Sequence, residues 1–444
     1  MRRRMPCTIL PAAVLVVLLG CQQQPMFSLA SMRGGSPPTP EQLSKLNLEL
    51  YWELPVALRG SERIQRLYQI DESIYCLTTE GRLIAIDAVV GRTRWTAVVA
   101  DRGLTVFAPC HADNVIPPKV AGTIIVPGRD LDRAKTVNAV IINTVNYALM
   151  FDRATGEELN RIDFPFAANS PGSSDGAYFY VASVDGRYHC LRLNDGLTRW
   201  TLSTQDMIKV RPLYYARTVY VASMDGTFAA VNPEVNAKRR VWMQTTDGPL
   251  TGTFHVDARA CFVPSQDHKL YAYHPATGED LWKFFAKAPL LDPVQVGKQT
   301  VFQYAEKDRL YALDVATGRK RWELPQGRLA LLVDDGNAYV LTPERMLLTV
   351  NEMTGEVTGK LDFRGFPQVA PNVVKPVIFA CTAGGKLVCI RPIGSGALTA
   401  EMLADVGPTE RSATMPALPT AAPTTEAAPA PEAAPESSTP APTE

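Results

Sequence analysis

The chain has 444 residues, of which 45 are basic and 45 acidic, and 46% are apolar. The cancelled charge removes the electrostatic case for nucleic acid or a strongly acidic substrate, while the apolar content can build a real core. Such a length holds two or three average domains or one large β domain. At the N-terminus Arg2, Arg3 and Arg4 precede an apolar run from Thr8 to Leu19. The run is too short to span a bilayer as a mature helix, and its basic flank predicts a secretory signal over 1–20.

The end of that signal, Leu18-Leu19-Gly20-Cys21, resembles the lipobox of bacterial lipoproteins. The resemblance implies cleavage before Cys21, which would carry the lipid and anchor the chain without a transmembrane helix. Leu19 is larger than the residue usual at its place, and an ordinary secretory signal or an uncleaved anchor is the alternative. Gln22, rather than an aspartate, follows Cys21, which by resemblance to enterobacterial lipoproteins implies sorting to the outer membrane. Residues 21–45 include GGSPPTP from Gly34 to Pro40 and lack an apolar period, predicting a flexible tether.

From 46 to 395 one pattern keeps returning. LELYWELP carries Trp52, and IYCLTTEGRLIAIDAVVGRTRW ends at Trp95, 43 residues later. VIINTVNYALMFDRATGEELN has Asn160 in the Trp position, and full copies follow at Trp200, Trp242, Trp282 and Trp322, with steps of 42, 40 and 40 residues. YVLTPERMLLTVNEMTGEVTG puts Gly359 there, and IFACTAGGKLVCIRP, Ile378 to Pro392, is half a unit whose other half is the stretch around Trp52. A period near 40 residues of short strands and tight turns is the mark of a β-propeller. The predicted fold is therefore all-β: eight four-stranded blades, the last completed by the N-terminal strand so that no blade keeps a raw edge.

Roles inside the unit follow from LYALDVATGRKRW, Leu310 to Trp322. Asp314 should accept amide hydrogen bonds in the turn, and Gly318 should supply a left-handed residue. Trp52, Trp95, Trp200, Trp242, Trp282 and Trp322 should wedge against adjacent blades, where small residues such as Ala272 and Ala312 leave room. Their regular return favours this over stacking platforms for a sugar or quinone.

The A-x-D-x-x-T-G-x-x-x-W form resembles the docking motif of the pyrroloquinoline quinone (PQQ)-like propeller repeat. Together with eight blades, the lipobox and the chain length, it most resembles the BamB lipoproteins. That resemblance implies a non-enzymatic scaffold of outer-membrane β-barrel assembly that docks on BamA, binds no cofactor and faces the periplasm. A PQQ-dependent dehydrogenase, or a general envelope protein that binds proteins or glycans, is the alternative. Blade 2 departs from the pattern, because Trp95 to Asn160 spans 65 residues and the excess falls between Asn114 and Val137. Long loops on a rigid scaffold often carry recognition, so Pro117, Pro118, Lys119, Arg129, Asp130, Asp132 and Arg133 are the candidate partner-binding residues.

Catalytic, cofactor and metal sites are not expected. Asp87, Asp152 and Asp314 occupy equivalent turns of different blades, where capping accounts for them. His111, His189, His255, His268 and His274 show no ligand spacing, and Cys110-His111 on a strand point to opposite faces. No Cys-Cys pair is present, and the six cysteines beyond Cys7 and Cys21 should be buried thiols. The basic runs Lys238-Arg239-Arg240 and Arg319-Lys320-Arg321 fall in turns and are expected to be solvated. Residues 396–444 should be a disordered tail: Gly407 to Glu444 holds nine prolines, ten alanines and no aromatic residue.

Overall fold

The computed structural model describes residues 35–116, 136–235 and 239–404. They form eight sheets, each of four antiparallel strands, and two one-turn helices. Blades 1 to 7 are meanders over 64–98, 110–163, 173–203, 213–245, 255–285, 295–324 and 329–362. Blade 8 takes three strands from 368–392 and its fourth from strand β1, Leu48–Pro55, which runs antiparallel to Lys386–Pro392 with Trp52 opposite Cys389. The fold is the eight-bladed propeller closed by its own N-terminal strand.

Burial explains why these short strands hold. The third strand of blade 6, Leu310–Asp314, is buried at four consecutive positions, as a strand covered on both faces must be. The outermost strand of blade 5, Asp280–Phe285, instead alternates exposed and half-buried positions from Leu281 onward, because only one of its faces meets a neighbour. The core accordingly lies between blades, and the cluster at the closure joins Ile74 and Ile84 of blade 1 to Phe379 and Cys389 of blade 8.

Backbone hydrogen bonds separate two faces of the ring. On the turn face the first–second and third–fourth strand turns meet, as where Ala88 N donates to Glu72 O at 2.9 Å and Glu352 N to Gly336 O at 2.8 Å. On the crossover face the second–third turn meets the passage to the next blade, as where Val99 N donates to Gly81 O at 2.8 Å and Phe363 N to Arg345 O at 3.0 Å.

The inner ends of the stretches expected as tether and tail are packed. Gly35 and Pro37 lie against Arg364 and Gly365 on the crossover face. Helix α1, Pro40–Ser44, follows with a reciprocal cap between Thr39 and Gln42, and Leu43 and Leu46 are buried. After blade 8, Ile393 N donates to Asn47 O at 3.0 Å, and helix α2, Ala400–Leu403, is capped by Thr399 and buries Leu403. Gln69 Nε2 donates to Leu403 O at 3.3 Å beside the first turn of blade 1, so the described chain ends on the turn face. A few leucines with a capped turn are enough to fix these segments, and they carry no periodic signal. Residues 1–34 and 405–444, and Cys21 with them, lie outside the described residues.

Candidate functional site

The repeated tryptophans form a set of seam bonds. Each indole Nε1 donates to the carbonyl just after the turn's capping residue in the next blade: Trp52 to Ala88 at 3.1 Å, Trp95 to Arg153 at 3.0 Å and Trp200 to Pro233 at 3.2 Å. Trp242 reaches Pro275 at 2.9 Å, Trp282 reaches Val315 at 3.2 Å and Trp322 reaches Glu352 at 2.8 Å. Room in the next blade comes from the turn glycine, not from the small strand residue. A Cβ on Gly318 (φ +67°) would stand 2.4 Å from the Trp282 ring, while Ala272 and Ala312 pair across strands with Trp282 and Trp322 of their own blades.

The two decayed positions are compensated differently. Asn160 Nδ2 donates to Leu193 O at 2.7 Å, keeping the seam bond, and the bulkier Met150 stands opposite it. At Gly359 a Cβ would lie 2.4 Å from Leu46 Cδ2, so a leucine from the N-terminal segment occupies the seam between blades 7 and 8. Tyr339 donates its hydroxyl to Leu46 O at 2.9 Å and holds that segment.

The aspartates of the turns accept amides in separate blades. Asp87 Oδ1 takes Val89 N, Asp152 Oδ1 takes Ala154 N, and Asp314 Oδ1 takes Thr317 N, each within 3.0 Å. His274 fills the same place in blade 5, where its Nδ1 accepts from Ala276 N and Thr277 N at 3.3 Å. Among the described residues no group of three or more His, Cys, Asp or Glu side chains is arranged to hold a metal ion. The six described cysteines are free and buried, and burial pushes the Cys110 thiol up to about 11. Of the basic runs, Lys238 is outside the described residues, and Arg321 is engaged by Asp314 at 2.8 Å and Thr300 at 2.6 Å, so it is not a free surface charge.

The residues proposed in the blade 2 excess, Pro117, Pro118, Lys119, Arg129, Asp130, Asp132 and Arg133, all lie outside the described residues. A polar cluster lies at the seam between blades 1 and 2. His111 Nδ1 is 2.7 Å from Asp71 Oδ2, and its Nε2 is 2.9 Å from the Tyr75 hydroxyl. A carboxylate only accepts and a guanidinium only donates, so Nδ1 can serve Asp71 or Arg153 but not both; with its proton on Nδ1 toward Asp71, Nε2 accepts from Tyr75. Arg153 Nη1 also approaches His111 Nδ1 at 2.7 Å, while its Nη2 pairs with Asp113 at 3.0 Å. Arg94 ties in from blade 1 through Asp87 at 2.8 Å and Glu72 at 3.6 Å.

Hydroxyl, imidazole and carboxylate in a row would suit proton relay, but Tyr75 is wholly buried and the His111 side chain 4% exposed, which leaves a substrate no approach. Burial holds the His111 pKa below the ordinary imidazole value, with Asp71 opposing. Sequence reasoning missed this cluster because its members come from different blades, Asp71 and His111 being 40 positions apart. The usable signal was Arg153, a charged residue where blade 6 has Val315. A separate cavity of about 260 Å³ opens on the crossover face, lined by Arg66, Leu77, Thr78, Asp101, Leu104 and Val106.

A family model described as outer membrane protein assembly factor BamB matches residues 146–238 and 234–405. The crystal structure of BamB from Moraxella catarrhalis is similar with a TM-score of 0.58 at 16% identity, covering 78% of this chain and 98% of that one. The computationally designed Ika8 protein is similar with a TM-score of 0.56 at 12% identity, covering 77% of this chain and 100% of that one. At these identities the structural likenesses establish the fold alone. No curated protein matches the chain in sequence.

Proposed function

The chain belongs to the family of outer membrane protein assembly factor BamB, and from that premise we propose that it is a lipid-anchored, non-enzymatic scaffold facing the periplasm. In this reading it assists assembly of outer-membrane β-barrel proteins and binds a BamA-like component, with Cys21 carrying the lipid. The observation that carries the reading is the family match, laid over blades that the chain closes into a ring by itself. Among the described residues no helix is long and apolar enough to cross a membrane. Gly35, the first described residue, lies on the crossover face, so Cys21, 14 residues earlier, would hold that face within about 50 Å of a bilayer. The blade 2 excess is proposed as part of the partner surface.

Affinity purification of the full chain from detergent-solubilised envelopes should recover a BamA-like barrel protein by mass spectrometry. Cys21→Ser should move the folded protein out of the membrane fraction. Absence of any such barrel protein from repeated purifications would overturn the assembly role. Dye-linked alcohol or sugar oxidation after addition of PQQ and calcium would assign the chain to the quinone enzymes instead.

A further inference from the structure

The polar cluster between blades 1 and 2 has no part in the proposed function, and its geometry is unusual in one respect. A single ring nitrogen, His111 Nδ1, sits 2.7 Å from an anion, Asp71 Oδ2, and 2.7 Å from a cation, Arg153 Nη1. With the ring neutral and Nδ1–H donating to Asp71, Arg153 keeps its place through Asp113 at 3.0 Å and Asp71 at 3.7 Å. A second proton on Nε2 changes both sides of the ring. Tyr75 must turn from donor to acceptor, and a full positive charge stands against the guanidinium.

Each carboxylate around the ring is already shared with a guanidinium. Asp113 is taken by Arg153, while Glu72 lies between Arg153 at 3.9 Å and Arg94 at 3.6 Å. Asp87 is taken by Arg94 at 2.8 Å. Asp71 faces both the ring at 2.7 Å and Arg153 at 3.7 Å, so a protonated ring and the guanidinium compete for it. Arg153 is also the residue whose carbonyl receives the Trp95 indole, so its displacement disturbs the seam bond itself.

We propose that His111 is an acid-operated release for the seam between blades 1 and 2, in which protonation of the ring drives the Arg153 side chain off Nδ1 and loosens the turn that holds Trp95. The proposal rests on this geometry and is independent of the assembly role. The folded ring takes its proton below the ordinary imidazole range, whereas the opened seam takes it at about pH 6.5. The seam's stabilisation is therefore full above that pH and falls as the pH drops through it toward the lowered folded value.

The test is hydrogen exchange of the full chain at pH 7.5 and 5.5, a window above the ordinary carboxylate range, corrected for intrinsic rates. In the wild type, protection over 73–78 and 147–156 should fall by up to about tenfold, because pH 5.5 lies one unit below the opened ring's titration. His111→Gln should keep its protection across the window. In Arg153→Met, NMR titration of the ring should place its pKa higher than in the wild type. Parallel loss of protection in wild type and His111→Gln would overturn the proposal. If His111→Gln does not fold, the titration decides: a His111 pKa unmoved by Arg153→Met rules the release out.

Discussion

Trp282 and Gly318 are two halves of one joint, although they stand in different blades. The indole lies where a Cβ on Gly318 would be, and the glycine holds a φ of +67° that other residues adopt at a cost. Trp282→Ala should destabilise the chain by about 3 kcal/mol, toward the lower end for a lost aromatic because the ring is half-buried. Gly318→Ala should cost about 1–3 kcal/mol, part from backbone strain and part from the clash. Thermal unfolding of the double mutant should show less than the sum, since only the strain survives without the indole. Strictly additive losses would mean that the two do not touch in solution. The tryptophans and turn glycines were legible in the sequence because they recur, but their pairing across blades was not, the room having been assigned to Ala272 and Ala312; His111 was missed altogether as a cluster, since its partners Asp71, Tyr75 and Arg153 meet only once the ring is assembled.

Among the elements, α1 and the residues after it are the least regular and among the most consequential. Seven seams are bridged by Trp or Asn donors, and at the eighth Gly359 leaves a space that Leu46 fills. Leu46→Ala should cost about 2–5 kcal/mol, and limited proteolysis should then cut first near the outer strand of blade 7, Val357–Asp362. Cleavage elsewhere in the ring at unchanged stability would show that the leucine is not a seal. The strands were readable because their apolar runs and D-x-x-T-G turns return at a fixed step. Leu43 and Leu46 were not, because two leucines in a polar, proline-bearing stretch produce no period, and only Gly359, more than 300 positions on, makes the space that Leu46 fills.

For the whole molecule, closure depends on β1, the strand that makes blade 8 a four-stranded sheet. Trp52 secures it to blade 1 through the Ala88 carbonyl, over a core that includes Cys76, Cys381 and Cys389, all fully buried. Those thiols are built-in reporters: Trp52→Ala should make them react with a thiol reagent at least about tenfold faster, since labelling requires the closure to open. Cys190 and Cys261, in other seams, should be unchanged. Equal acceleration at all sites would mean general loosening of the ring.

The path of the first described residues has a mechanical consequence. From Gly35 on the crossover face the chain runs past the outer strand of blade 7 to Asn47 on the turn face, and only then returns as β1. Tension on the N-terminal segment therefore does not load β1 along its length, where the hydrogen bonds to Lys386–Pro392 would share the force. It first lifts Leu43 and Leu46 out of their seam, then reaches β1 at its Leu48 end and opens the ladder one pair at a time. A ring pulled through its N-terminal segment in this way yields by unzipping, at forces well below those needed to shear the same strand free.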